Sequence, residues 1–209
     1  MNILPSESVK FIEELEKVRT TNEIIILAPY IDLPYLRSDK IKFGSQNIYY
    51  KDKGSYTGEI SSLMIKDIGI YYTLIGHYER RLHFNETDKI VNLKVRNSIN
   101  NGINVILCVN SIDSLMEDII GISDYEKLII AYEPDDFIGG STIISNENIK
   151  KFIKSARELT SDNVKIIYGG GINKNNVNNL KEIDELDGIL VGSNSTSAYK
   201  FKEIIEKYN

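Results

Sequence analysis

The stretch YYTLIGHYERR, residues 71–81, decides how the chain is to be read. Its first five residues are aromatic, β-branched or aliphatic without a polar alternation, which suits a strand covered on both faces. The strand then runs into Gly76 and His77, one of only two histidines, followed by Tyr78, Glu79, Arg80 and Arg81. An apolar strand that delivers an imidazole into a cluster of charge raises a question of chemistry as well as of fold.

Six further runs share its character: EIIILAP (23–29), KIKFGSQNIY (40–49), NVILCV (104–109), KLIIAYEP (127–134), VKIIYGGG (164–171) and GILVGS (188–193). Helix-like stretches lie between them. TGEISSLMIKDIG opens on Thr57 as an expected N-cap and stops at Gly69. ETDKIVNLKVRNSINNG starts near Thr87 and ends at Gly102, and SNENIKKFIKSARELT starts at Ser145. Two closing helices are expected around NVNNLKEID and SAYKFKEIIEKY, and an opening one at SESVKFIEELEKV. Strand and helix alternate to the end, so residues 1–209 predict a single α/β domain on a parallel sheet. Periodicity leaves two architectures open, a doubly wound sheet and a closed (β/α)8 barrel. An opening helix followed by seven strands is the pattern of eight βα units without the first strand.

The composition bounds the function. A net charge of −5 argues against a nucleic-acid or anionic-membrane surface. No apolar run approaches a membrane span or a cleavable signal. The single cysteine, Cys108, excludes an internal disulfide and fits a cytoplasmic, reducing setting.

In both parallel architectures, catalytic groups collect where strands end. Four strand ends here carry chemistry: Gly76-His77, Tyr132-Glu133-Pro134, and the glycine-rich YGGGIN and VGSNS. A carboxylate, an imidazole and an anion cradle on one rim suit proton abstraction beside a carbonyl in a phosphorylated substrate. Each also has an ordinary structural reading. A lone histidine is most often a satisfied structural group, a triple glycine a tight turn, and an ERR run a solvated ion-pair cluster.

Together these stretches resemble the triosephosphate isomerase family. LIGHYERR is similar to its IGHSERR motif, AYEP followed by FIGG to its AYEP…IGTG segment, and QNIYYKDKGSYTGEIS (46–61) to its QN…TGEIS run. FNETDKIVNLKV, IIYGGGI and DGILVGS match in the same order. The resemblance implies a (β/α)8 TIM barrel lacking its first strand that interconverts dihydroxyacetone phosphate and glyceraldehyde 3-phosphate. It implies Glu133 as the base, His77 as the neutral electrophile and Glu79 as an electrostatic support. It places Gly139 and Gly140 in a mobile lid, and Gly171, Gly192 and Ser193 at the substrate phosphate. It assigns Gln46, Thr57 and Gly58 to a loop that projects into a neighbouring subunit, so a homodimer or homotetramer is expected. Neither a metal nor an organic cofactor is implied.

The chain departs from the family in three places. Tyr78 replaces the usual serine after the histidine. The lid reads PDDFIGGST instead of PVWAIGTGK. The chain opens on MN, as though inside the NWKMN-like motif whose Asn and Lys contact substrate. The resemblance therefore implies a poorly active, less stable chain as written. Two other readings stand beside the isomerase: an enzyme for another small ketose phosphate, such as a four-carbon one, and a non-catalytic sugar-phosphate binder.

Overall fold

The structure, a computed structural model, describes residues 2–209. Seven strands form one sheet in sequential order: β1 (Ile24–Ala28), β2 (Ile41–Ser45), β3 (Tyr72–Ile75), β4 (Asn104–Val109), β5 (Leu128–Tyr132), β6 (Lys165–Gly169) and β7 (Gly188–Leu190). Every neighbouring pair is parallel. All seven apolar runs of the sequence thus become strands. Sequential parallel order is that of a barrel, and it excludes the doubly wound alternative, whose strand order reverses part-way.

The alternation along β4 shows what each face packs against. Val105, Leu107 and Val109 point outward into the main core, with Val91 and Val95, Leu115 and Ile119. Those partners belong to α4 (Asp88–Asn100) and to α5 (Ile112–Asp118) with the residue that follows it. Ile106 and Cys108 point inward, where they pack with Leu74, Ala131 and residues of the other strands. Ile25 from the first strand and Leu190 from the last face the same internal cavity, of about 230 Å³, as Ile106 and Ile129 from the middle. The sheet therefore curls into an open barrel. β1 pairs only with β2 and β7 only with β6, so the barrel carries two free edges.

A second outer core joins α1 (Pro5–Leu15) to the sheet edge through Ile12, Leu15, Ile24 and Ile41, with Ile205 of α8 (Ala198–Tyr208). Several helix starts follow the sequence signals. Thr87 caps α4, Ser145 caps α6 (Asn146–Leu159) and Ser197 caps α8, each accepting a backbone N–H. Thr57 does not cap a helix. The start of α2 (Ser62–Asp67) is capped by Ser61, whose hydroxyl accepts from the Met64 N–H. Upstream, Tyr49 donates to the Ile60 carbonyl and bridges to Ser61, which holds residues 60–61 extended. The stretch NVNNLKEID yields only the single turn α7 (Val177–Leu180). The charged run after His77, with no apolar spacing to announce it, forms α3 (Tyr78–Phe84), a helix with no buried residue.

The two faces of β4 respond differently to truncation. Leu107 is fully buried among packed side chains, so Leu107→Ala is expected to lower stability by about 2–5 kcal/mol. Ile106 already borders open space, and Ile106→Ala is expected to lower it by less. Denaturant unfolding of the two variants checks the order; equal losses would contradict an open interior.

Candidate active site

His77 is held by the turn it begins. Gly76, at φ +75°, ends β3, and His77 is the N-cap of α3, its carbonyl accepting from the N–H groups of Arg80 and Arg81. A side chain at Gly76 would meet the Cys108 carbonyl and the Arg81 guanidinium, both 3.0 Å from its Cβ. Glycine is needed there for conformation and for space.

Glu133 follows β5, and its N–H donates to the Val109 carbonyl at 2.8 Å. The side chain is buried, and its Oε1 lies 3.9 Å from Nε2 of His77. That is too long for a hydrogen bond, so both groups face one space without satisfying each other. Oε2 of Glu133 is buried with no hydrogen-bond partner among the described residues. Gly169 of β6 makes room for the carboxylate, because a Cβ there would stand 2.7 Å from the Glu133 Cγ. Burial pushes the Glu133 carboxyl above the ordinary glutamate value; the His77 ring and the Cys108 thiol oppose this, while Glu79 and Asp135 reinforce it. Glu79 is exposed on the first turn of α3, its Oε2 3.9 Å from Nδ1 of His77.

The charged run beside His77 is not a solvated cluster. Both arginines reach carboxylates that sequence spacing gave no means of finding. Arg80 pairs with the buried Glu86 at 2.7 Å, and Glu86 also binds the buried Lys94, which donates to the side chain of Asn47. Burial lowers the Lys94 ammonium from the usual lysine value, against the pull of Glu86. Arg81 pairs with Asp88 and with Asp118, each at 2.5 Å. Burial pushes the Asp118 carboxyl up to about 7, with Arg81 pulling it down. Tyr78 lines a small cavity with Arg81, Cys108 and Glu133.

The glycine-rich segments adjoin the base. Residues Asp135–Phe137 form a 3-10 turn directly after Pro134, and Asp135 accepts a hydrogen bond from the Asn110 amide at 2.8 Å. Gly139 and Gly140 follow in an exposed stretch, where the Gly140 N–H donates to the Phe137 carbonyl. Gly171, at φ +62°, presses against the return of this segment: a Cβ there would lie 1.8 Å from the Thr142 carbonyl oxygen. The side-chain amides of Asn173 and Asn176 each donate to the carbonyls of both Ser141 and Gly171. Asn194 joins the last loop to this one by donating to the Ile172 carbonyl at 2.8 Å. That loop contains Gly192 and the 3-10 turn Ser193–Thr196. Asn173, Asn176 and Asn194 carry no motif that spacing could reveal, and only the fold brings them together.

Gln46, Thr57 and Gly58 lie apart from these groups. Gln46, just past β2, donates its amide to the Leu27 carbonyl. Thr57 and Gly58 sit in an exposed loop, residues 51–59, braced by Asp52, which accepts from the amides of Asn97 and Asn101. Among the described residues no group of three or more His, Cys, Asp or Glu is placed to hold a metal ion. No described helix is long and apolar enough to cross a membrane.

Comparison with known proteins agrees with this geometry. The family model for triosephosphate isomerase matches residues 1–208. The chain is 34% identical to the triosephosphate isomerase of Trichodesmium erythraeum over 222 residues, 95% of this chain and 92% of that one. It is also 34% identical to that of Thermoanaerobacter pseudethanolicus over 235 residues, 98% and 95% of the two chains. The Synechocystis enzyme of the same name is similar at 34% over 210 residues, 91% of this chain and 86% of that one.

The contact at Gly171 yields a direct test. Gly171→Ala combines a left-handed backbone with a collision against Thr142. It is expected to lower stability by about 1–3 kcal/mol and to speed proteolysis of residues 135–144. Limited proteolysis with a thermal melt checks this, and native-like behaviour in both would contradict the close approach.

Proposed function

The chain belongs to the triosephosphate isomerase family, and on that premise we propose that it interconverts dihydroxyacetone phosphate and D-glyceraldehyde 3-phosphate through an enediol. One observation carries the site assignment: a buried carboxylate and an imidazole that face one space 3.9 Å apart and satisfy each other by no hydrogen bond. Glu133 takes a proton from one substrate carbon and returns it to the neighbouring one. Burial raises its proton affinity, which brings a carboxylate closer to the strength such a transfer needs. His77 donates an N–H to the substrate oxygen and stabilises the charge that develops there. Glu79 supports the far side of the ring through Nδ1.

The substrate phosphate is assigned to the backbone N–H groups around Gly171, Gly192 and Ser193, whose loops are tied by the Asn194–Ile172 hydrogen bond. A negatively charged chain can bind an anion in this way, because the donors are peptide groups and not basic side chains. Gly139 and Gly140 give the segment after the base the freedom to close over the substrate and exclude water. The substrate class is thus a small phosphorylated sugar. The projecting loop 51–59, with Leu82 and Phe84 exposed on α3, supports association of two or more copies. A reducing cytoplasm suits the free, buried Cys108.

Glu133→Gln is expected to lower kcat by at least ~10²–10⁴-fold while leaving affinity for a phosphate-bearing inhibitor nearly unchanged. The pH dependence has a definite sign. Because the folded-state value of Glu133 is raised above 4.5, kcat/KM should fall on acidification with a midpoint above that value. The same shift favours the folded state fully below the unfolded value and loses that contribution as pH rises through the folded one. The glutamine variant should therefore be no less stable than the native chain at neutral pH. A coupled assay and pH-dependent melts test both statements, and near-native turnover in the variant would refute the assignment of the base. Light scattering tests association; a monomer at micromolar concentration would refute it.

A further inference from the structure

His77 follows β3, and Glu133, which follows β5, is tied to the end of β4 by its N–H on the Val109 carbonyl; one side chain touches the ends of β3 and β4. Nε of Arg81 donates to the Gly76 carbonyl at 2.8 Å, on the residue that precedes His77. Its Nη2 reaches the Cys108 carbonyl at 3.5 Å, on the residue whose thiol faces Glu133. The same Nη2 is seated on Oδ2 of Asp118 at 2.5 Å, and Nη1 on Asp88 at 2.5 Å. Asp118 has no exposed side-chain surface and closes α5, so the seat is fixed by the outer core. Arg81, Cys108 and Glu133 border one cavity of about 20 Å³, and the absence of a Cβ at Gly76 is what lets the guanidinium enter.

We infer that Arg81 is a positioning residue for the proton transfer: seated on Asp118, it clamps the ends of β3 and β4 and so sets the separation of His77 and Glu133. The inference rests on the isomerase reading above. A planar fork of donors can serve four acceptors on four elements at once, and a single ammonium cannot. Arg81→Lys therefore keeps the charge beside Asp118 and releases the clamp. A displacement of about 1 Å at reacting groups costs up to 10²-fold.

The test uses Arg81→Lys and Asp118→Asn, with Ile153→Val in α6 as a core control far in sequence from the clamp. Both clamp variants are expected to lower kcat by about 10–10²-fold with KM changed less than about twofold; the control should leave both unchanged. With only two histidines in the chain, ¹⁵N-histidine labelling reads the geometry directly. The His77 imidazole signals, assigned with His77→Gln, should shift or broaden in both clamp variants and not in the control. Folded clamp variants with native kcat and unmoved His77 signals would overturn the inference. If Arg81→Lys fails to fold, Asp118→Asn decides by the same criteria. If the native chain shows no turnover, the isomerase reading fails separately, and the His77 signals alone decide the clamp: movement supports it and constancy overturns it.

Discussion

Every strand of the sheet points the same way, and most of the molecule follows from that. Parallel neighbours cannot be joined by a tight turn, so each connection must travel back outside the sheet before the next strand begins. The return segments cover the outer face, the curl covers the inner one, and the strands can be apolar on both sides. All seven C-terminal ends then open on one rim. His77 leaves β3 and Glu133 leaves β5, so groups from two different strands face one space without any long excursion of the chain.

The rim is polar, and its neighbourhood is unusual in how far the charges are drawn inward. Glu133, Glu86, Lys94 and Asp118 are all buried. Three of them have ionic partners: Glu86 binds both Lys94 and Arg80, and Asp118 holds Arg81. Glu133 differs in having no lysine or arginine partner, only a histidine at non-bonding distance, although Glu86 and Asp118 also each keep one buried oxygen without a partner. A buried carboxylate left half-satisfied is costly to a fold and useful to a base, since the same desolvation that raises its energy raises its affinity for a proton.

Much of this was legible in the sequence because it rests on local signals. Seven apolar runs and the helix starts at Thr87 and Ser145 were readable from neighbours within four residues. The family motifs supplied the barrel topology, one strand short, that periodicity left open. Where the reading failed, a longer-range contact had overridden a local one. Thr57 had the chemistry of a cap, but the pairing of Tyr49 with the 60–61 backbone kept the helix from starting until Ser61. The ERR run had the composition of a solvated surface, yet its partners Glu86 and Asp118 are buried contributions from other parts of the chain. The asparagines that brace the glycine loops were invisible for the same reason.

The internal cavity has a mechanical corollary. A hollow of about 230 Å³, lined by apolar strand residues and by Glu23, Lys165 and Asp187, opens between the two free edges, and whatever part of it stays dry is excess volume that unfolding abolishes. Hydrostatic pressure favours the state of smaller volume, in proportion to the void that is lost. The outer layers on α4, α5 and α6, which hold no comparable space around Leu107 and Val91, offer pressure little to act on. Compression is therefore felt first where Ile106, Ile129 and Ile167 look inward, along the same strands whose far ends carry the site.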